Sequence, residues 1–193
     1  LNHRKFFPET RLKRSGFAKY ATMGGAVRQY RDLLNEPLPA ASGGPVAHRP
    51  FMEAVLSPGA ALKDMTGSQA PLLLSPSGTA DSNGLYTKLD AAYSFVQMLG
   101  LENSATTFDP INDIVVEYRG EQIVLADQDS IPDELKGYVQ LAIDLSLVNV
   151  EFGIEQGAFD LSPTFTATFS PDEAVTRAHY AVLASRFYTQ YYQ

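Results

Sequence analysis

The sequence predicts a mainly α fold assembled from three copies of one helical unit. Three observations lead there. A pattern reading Phe6, Pro8, Glu9, Leu12, Arg14, Phe17 and Ala18 returns near the other end as Phe169, Pro171, Asp172, Val175, Arg177, Tyr180 and Ala181, in register and without a gap. A middle copy keeps Tyr86, Thr87, Lys88 and Ala92, loses the Pro, and has Ala91 where the others have an aromatic. Around each copy apolar residues recur three and four apart, the period of a helix with one buried face. At 193 residues and 45% hydrophobic content, the chain can build one full core or several small units that share one. A unit too small to bury its own apolar face must stack on its neighbours.

The elements follow in order. Lys13 to about Arg31 reads as a helix through Phe17, Ala18, Ala21, Val27 and Tyr30, with a break expected at Gly24–Gly25. Residues 35–50 hold four of the twelve prolines and read as a linker. A short helix is expected at about Pro50–Leu56, with Pro50 in the first turn, where its missing N–H costs nothing. Residues 59–84 read as irregular and end in the turn cluster Asp81, Ser82, Asn83, Gly84. Thr87–Leu99 is the clearest helix. Thr87 can cap its start, Ala91, Ala92, Phe95, Val96 and Leu99 form its stripe, and Gly100 can end it in the left-handed conformation.

Ile114–Tyr118 and Glu121–Ala126 read as a β-hairpin around Arg119–Gly120. Asp133–Val148 reads as a helix with Leu135, Tyr138, Val139, Ala142, Ile143 and Leu147 inward. Residues 150–163 read as a Gly-containing loop, and Thr164–Phe169 alternates like a short strand. The last helix is expected over Val175–Tyr188, capped by Thr176, with Asp172 and Glu173 ahead of it to complement the helix dipole. Phe187, Tyr188, Tyr191 and Tyr192 form a terminal aromatic cluster that either packs on the first copy or stays exposed as a contact surface.

Within the repeat, Pro steers an extended approach into the turn and a Thr caps the helix; Lys13 holds the capping place in the first copy and cannot fill that role. The aromatic and the Ala face inward. The basic residue is the anomaly, because a cation at a helix start opposes the macrodipole by a few tenths of a kcal/mol. Arg14, Lys88 and Arg177 all sit there. Either each pairs with a nearby carboxylate or covers apolar surface with its stem, or each reaches into a groove between repeats and holds an anionic ligand.

A net charge of −7 and a pI near 4.9 exclude general binding of the nucleic-acid backbone, though not a local anion pocket. With no Cys there is no disulfide, thiolate metal site or cysteine nucleophile. No apolar run approaches the roughly 20 residues of a membrane span. The first residue is Leu, which suggests a piece processed or excised from something longer. His3, His48 and His179 lack zinc-site spacing, and no His-Glu-x-x-His run occurs. Ser75-Pro76-Ser77-Gly78-Thr79 lies in a loop without a nucleophile elbow. Asp127-Gln128-Asp129-Ser130 starts like a calcium loop but lacks the later Gly and Glu; as a polar turn, its Asp129 or Ser130 would help start the next helix. No catalytic residue, cofactor site or metal site is therefore assigned.

The third copy, Gly137-Tyr138-Val139-Gln140-Leu141-Ala142, then Phe159, Phe169-x-Pro171 and Val175-Thr176-Arg177-Ala178-His179-Tyr180-Ala181, resembles the S-layer homology family. The second copy, through Tyr86-Thr87-Lys88-Leu89-Asp90-Ala91-Ala92, resembles it more loosely, and the first has only its second half. The resemblance implies helix-loop-helix repeats about a pseudo-threefold axis, with residues 1–34 as the second half of repeat 1, 35–49 a linker, 50–106 repeat 2, 107–130 a β-hairpin insertion and 131–193 repeat 3. It also implies that Arg14, Lys88 and Arg177 line grooves that bind an anionic cell-surface polysaccharide, on a secreted or cell-surface bacterial protein. The family's Glu position here holds Gly16, Asp90 and His179, and the chain has no Trp. The runs Asp90-Ala91-Ala92-Tyr93, Val96-Gln97 and Leu99-Gly100-Leu101, taken with Gly137–Ala142, also resemble the C-terminal region of secreted subtilisin-like proteases. Two roles follow from these readings. One is a non-catalytic anchoring module on polysaccharide. The other is an accessory domain that packs on an upstream catalytic domain, or on copies of itself as a homo-oligomer, without a glycan.

Overall fold

A computed structural model describes residues 8–24, 83–156 and 162–191. The expected linker, the Pro50–Leu56 helix, His3, His48 and the Ser75–Thr79 loop lie outside the described residues. The described chain forms α1 (Arg14–Gly24), α2 (Lys88–Met98), α3 (Glu102–Thr106), the hairpin β1 (Val115–Tyr118) and β2 (Glu121–Val124), a 3-10 turn at Gln128–Ser130, α4 (Asp133–Asp144), the hairpin β3 (Glu151–Glu155) and β4 (Thr164–Thr168), and α5 (Arg177–Tyr191).

This corrects the expected fold class. Among the described residues the chain is not a stack of helix-loop-helix repeats but a mixed structure, about 46% helix and 21% strand, with five helices and two antiparallel two-stranded sheets. Residues 151–155, expected to be loop, are strand β3. Residue by residue, β3 pairs with β4 from Glu151 opposite Thr168 to Glu155 opposite Thr164. The first hairpin is no isolated insertion: Leu125 bridges in parallel to Ala167, and the Ala126 N–H donates to the Ala167 carbonyl at 2.8 Å.

Among the described residues, repetition shows in the short approach to each of three helices. Residues 11–13, 85–87 and 174–176 are extended and close a triangle. Arg11 bridges Thr176, Lys13 bridges Leu85, and Thr87 bridges Ala174, all antiparallel. At its centre Leu12 N–H donates to Val175, Val175 N–H to Tyr86, and Tyr86 N–H to Leu12, at 2.8, 2.9 and 2.9 Å. A second ring follows at the helix starts: Arg14 to Gly84, Lys88 to Glu173 and Arg177 to Thr10, at 3.0, 2.9 and 2.9 Å. First-turn N–H groups have no partner within a helix, and here the neighbouring segment supplies one. Leu12, Tyr86 and Val175 point into the core. Phe17 stacks on Tyr86 with centroids 4.4 Å apart, and Tyr180 meets both rings edge-on. The expected burial of the repeat's Ala holds for Ala18 and Ala92, whereas Ala181 is exposed.

α2 is the central element. Thr87 and Asp90 form a reciprocal capping box at its start, and Gly100 follows its end with φ +68°. Every residue from Ala91 to Gly100 is buried, so the helix has no solvent face. That burial includes Gln97, whose amide donates to the Tyr138 hydroxyl at 3.2 Å. α4 crosses α2 on one side and α3 on the other. The α3 crossing is close because residue 137 is Gly: a Cβ there would meet the Ala105 carbonyl oxygen at 1.9 Å. α4 ends at Asp144, short of the expected Val148, because Ser146 turns into the left-handed region at φ +56°; Leu147 is buried even so. Of the terminal aromatics, Tyr192 lies outside the described residues, and Phe187 and Tyr191 pack on the α2–α4 end rather than on the first copy. Phe187 is buried 5.2 Å from Phe95, and the Tyr191 hydroxyl donates to the Leu145 carbonyl.

Candidate functional site: the three-way junction

The three matched cations sit at equivalent backbone positions around the triangle, and each reaches the next segment in the same rotational sense. Arg14 gives Nε and Nη2 to the two carboxylate oxygens of Asp90, both at 3.1 Å. Lys88 places Nζ 3.2 Å from Glu173 and 5.5 Å from the centre of the Phe169 ring. Arg177 donates from Nη2 to the Tyr20 hydroxyl at 3.1 Å. The three heads therefore do not converge on one pocket. They run around the rim and tie first segment to second, second to third, and third to first.

The local sequence explains each partner. Asp90 is the capping-box acid of α2, and the Thr87 N–H donates to its Oδ2 at 3.1 Å. One carboxylate thus holds both the helix start and the guanidinium of the preceding segment. Tyr20 lies two turns into α1, where its ring stacks at 5.8 Å on Tyr180 from the third segment. Glu173 stands just ahead of α5, and its side chain is 50% exposed, against 3% for Lys88.

That asymmetry yields a test. Glu173→Gln leaves a buried ammonium with only an amide and is expected to cost about 1–2 kcal/mol, a figure reduced because the half-exposed site admits water. Lys88→Met replaces the cation with a buried apolar chain and is expected to be near neutral. Urea denaturation of both variants checks this. Equal losses would mean that charge pairing is not what holds the rim.

His179 occupies the place that holds Asp90 in the second segment. Its backbone N–H donates to Thr176 Oγ1 at 3.1 Å, so Thr176 caps α5 as expected. Its Nε2 is buried and has no hydrogen-bond partner among the described residues. Burial first, then Lys88 and to the smallest extent Arg186, hold its pKa below the ordinary value, while Glu173 acts the other way. A base with a lowered folded-state pKa releases its proton more readily in the folded state than in the unfolded chain. Stability is then full above the unfolded value of about 6.5 and falls as pH drops through the folded pKa. Acidifying from pH 7.5 to 5.5 is expected to lower Tm more in the wild type than in His179→Asn, and parallel melting curves at the two pH values read the difference.

The calcium-loop expectation resolves differently. Asp127 accepts the N–H groups of Phe169 and Ser170 at 2.9 and 2.6 Å, clamping the end of β4 where Ser170 has φ +58°. α4 takes no side-chain cap, so neither Asp129 nor Ser130 starts it; the Ser130 hydroxyl donates back to the Asp127 carbonyl. Among the described residues no group of three or more His, Asp or Glu could hold a metal. A polar recess of about 420 Å³ opens beside this turn, with Asp113, Asp129, Asp133 and Lys136 on its wall. Lys136 is tied there to Asp133 at 2.8 Å and to the Pro110 carbonyl at 3.1 Å. Among the described residues no helix is long and apolar enough to cross a membrane.

Sequence reasoning missed Asp127 as a clamp and Gln140 as a bridge. Gln140 accepts from Val115 N–H and donates to Val115 C=O, both at 2.9 Å, joining α4 to β1. Neither has a local signal, because the partner lies on another element. No family model, curated protein or solved structure matches the chain.

Proposed function

We propose that this chain is a non-catalytic accessory module of a larger exported bacterial protein, packing on a partner domain or on copies of itself, with its three matched cations serving as internal struts. One observation carries the reading: Arg14, Lys88 and Arg177 each bond an acceptor on the next segment of the triangle. A guanidinium held bidentate by a carboxylate has little left to offer a second anion. A lysine only 3% exposed must give up its ion pair before it reaches any ligand. The resemblance to S-layer homology repeats and to the C-terminal region of subtilisin-like proteases supports the extracellular setting.

A second reading, binding of anionic cell-surface polysaccharide, is what the resemblance of Val175-Thr176-Arg177-Ala178 to S-layer homology repeats implies. The two readings separate in one experiment. The chain and its Arg14→Ala, Lys88→Ala and Arg177→Ala variants are incubated with purified anionic cell-wall polysaccharide, and the chain is sized by light scattering. No retention on the polymer, together with a defined oligomer or a complex with its upstream domain, supports the module reading. Retention of the wild type that is lost in the alanine variants, with folding intact, overturns it in favour of the glycan.

A further inference from the structure

Strand β3 is the outer edge of its sheet. β4 lies on one side of it, and β4 is in turn bridged to the end of β2 through Leu125 and Ala167. All five residues of β3 are exposed. Alternation puts Phe152 and Ile154 on one face and Glu151, Gly153 and Glu155 on the other. Phe152 is 41% exposed and Ile154 68%. The strand is nevertheless held firmly, because Phe152 stacks on Tyr118 at 4.3 Å and pairs across to Ala167. An edge strand presents a row of N–H and C=O groups that another strand can complete.

The charges say which strand. A second copy pairing antiparallel about Gly153 would set Glu151 opposite Glu155, and like charges directly opposite are destabilising. Two glutamates suffice to block self-pairing, but they leave unexplained the two large apolar side chains exposed on the opposite face. A partner strand with cations four residues apart and apolar residues between them accounts for both features. It would complete the backbone edge, neutralise Glu151 and Glu155, and cover Phe152 and Ile154.

We infer that the β3 edge docks an extended segment of alternating pattern basic–apolar–polar–apolar–basic from a partner protein, by strand addition. This goes beyond the role proposed for the junction and does not depend on it. The test uses the full chain and two synthetic peptides, Thr-Lys-Val-Thr-Val-Lys-Thr and its counterpart with both Lys replaced by Glu. The basic peptide is expected to bind roughly tenfold more tightly and to slow amide exchange across residues 151–155. Glu151→Lys/Glu155→Lys is expected to reverse the preference between the peptides. Because both substituted side chains are exposed, the fold is expected to persist, and the peptide swap on the wild type gives an answer that does not need the variant. Equal affinity for the two peptides, no binding by either, or binding without slowed exchange in β3 overturns the proposal. So does a wild-type oligomer that pairs through β3 and is changed by the double substitution.

Discussion

Gly137→Ala is expected to destabilise the chain by about 3 kcal/mol, the upper part of the usual range for overpacking. In a domain of this size that is roughly 6–12 °C in Tm. The added Cβ would stand 1.9 Å from the Ala105 carbonyl oxygen, 2.9 Å from its carbon and 2.7 Å from the Phe108 Cβ. Two of those three atoms are backbone, so relief requires α3 and α4 to part rather than a side chain to rotate. Gly153→Ala is the control. Its new Cβ would meet Thr166 Oγ1 at 2.6 Å, and a rotating hydroxyl on an exposed sheet can give way. Thermal melts of the two variants decide the matter, and a small loss in Gly137→Ala would mean that the α3–α4 crossing is loose.

Phe17→Ala is expected to cost about 3–5 kcal/mol, the range for truncating a buried aromatic. Phe17 is 0% exposed, lies flat on Tyr86 and meets Tyr180 edge-on. With Tyr86 and Tyr180 it forms the ring cluster through which the three segments touch. The second segment carries Ala91 at the matching place, 0% exposed. The two positions are therefore expected to answer oppositely, Phe17 failing when made small and Ala91 when made large. Denaturant midpoints for Phe17→Ala, Phe17→Leu and Ala91→Phe test this. A mild loss in Phe17→Ala, with Phe17→Leu no better, would show that the ring stack is incidental to the junction.

Local features were legible where one stretch of chain contains its own cause. Arg119 and Gly120, with φ +54° and +84°, make the two-residue turn that the β-branched flanks announce. Thr87 and Asp90 close a capping box three residues apart, and Thr176 repeats the cap for α5. The spacing of Phe17, Ala18, Phe95, Val96, Leu135 and Val139 marked core positions that are indeed buried. β3 was not legible. With Glu at both ends, Gly in the middle and both faces wet, it has no buried side to impose a period, and only the ladder with β4 makes it a strand. The expectation of a helical stack failed for a related reason. The repeated residues encode an extended approach, a cap and a first turn, not a whole helical hairpin.

The cations show the division most clearly. Their matching positions at three helix starts could be counted in the chain, and so could the cost of placing positive charge there. Whether each met a ligand or an internal acceptor could not, because Asp90, Glu173 and Tyr20 stand on other segments. Sequence by itself determined where α1, α2, α4 and α5 begin, the first hairpin's turn and most of the buried positions, since caps, φ preferences and apolar spacing act within a few residues; α3 carries no such mark. Tertiary structure alone decided the closed triangle, the outer strand and the fate of Arg14, Lys88 and Arg177. Those depend on backbone groups and carboxylates brought together from opposite ends of the chain, and a contact of that kind leaves no periodic mark on either partner.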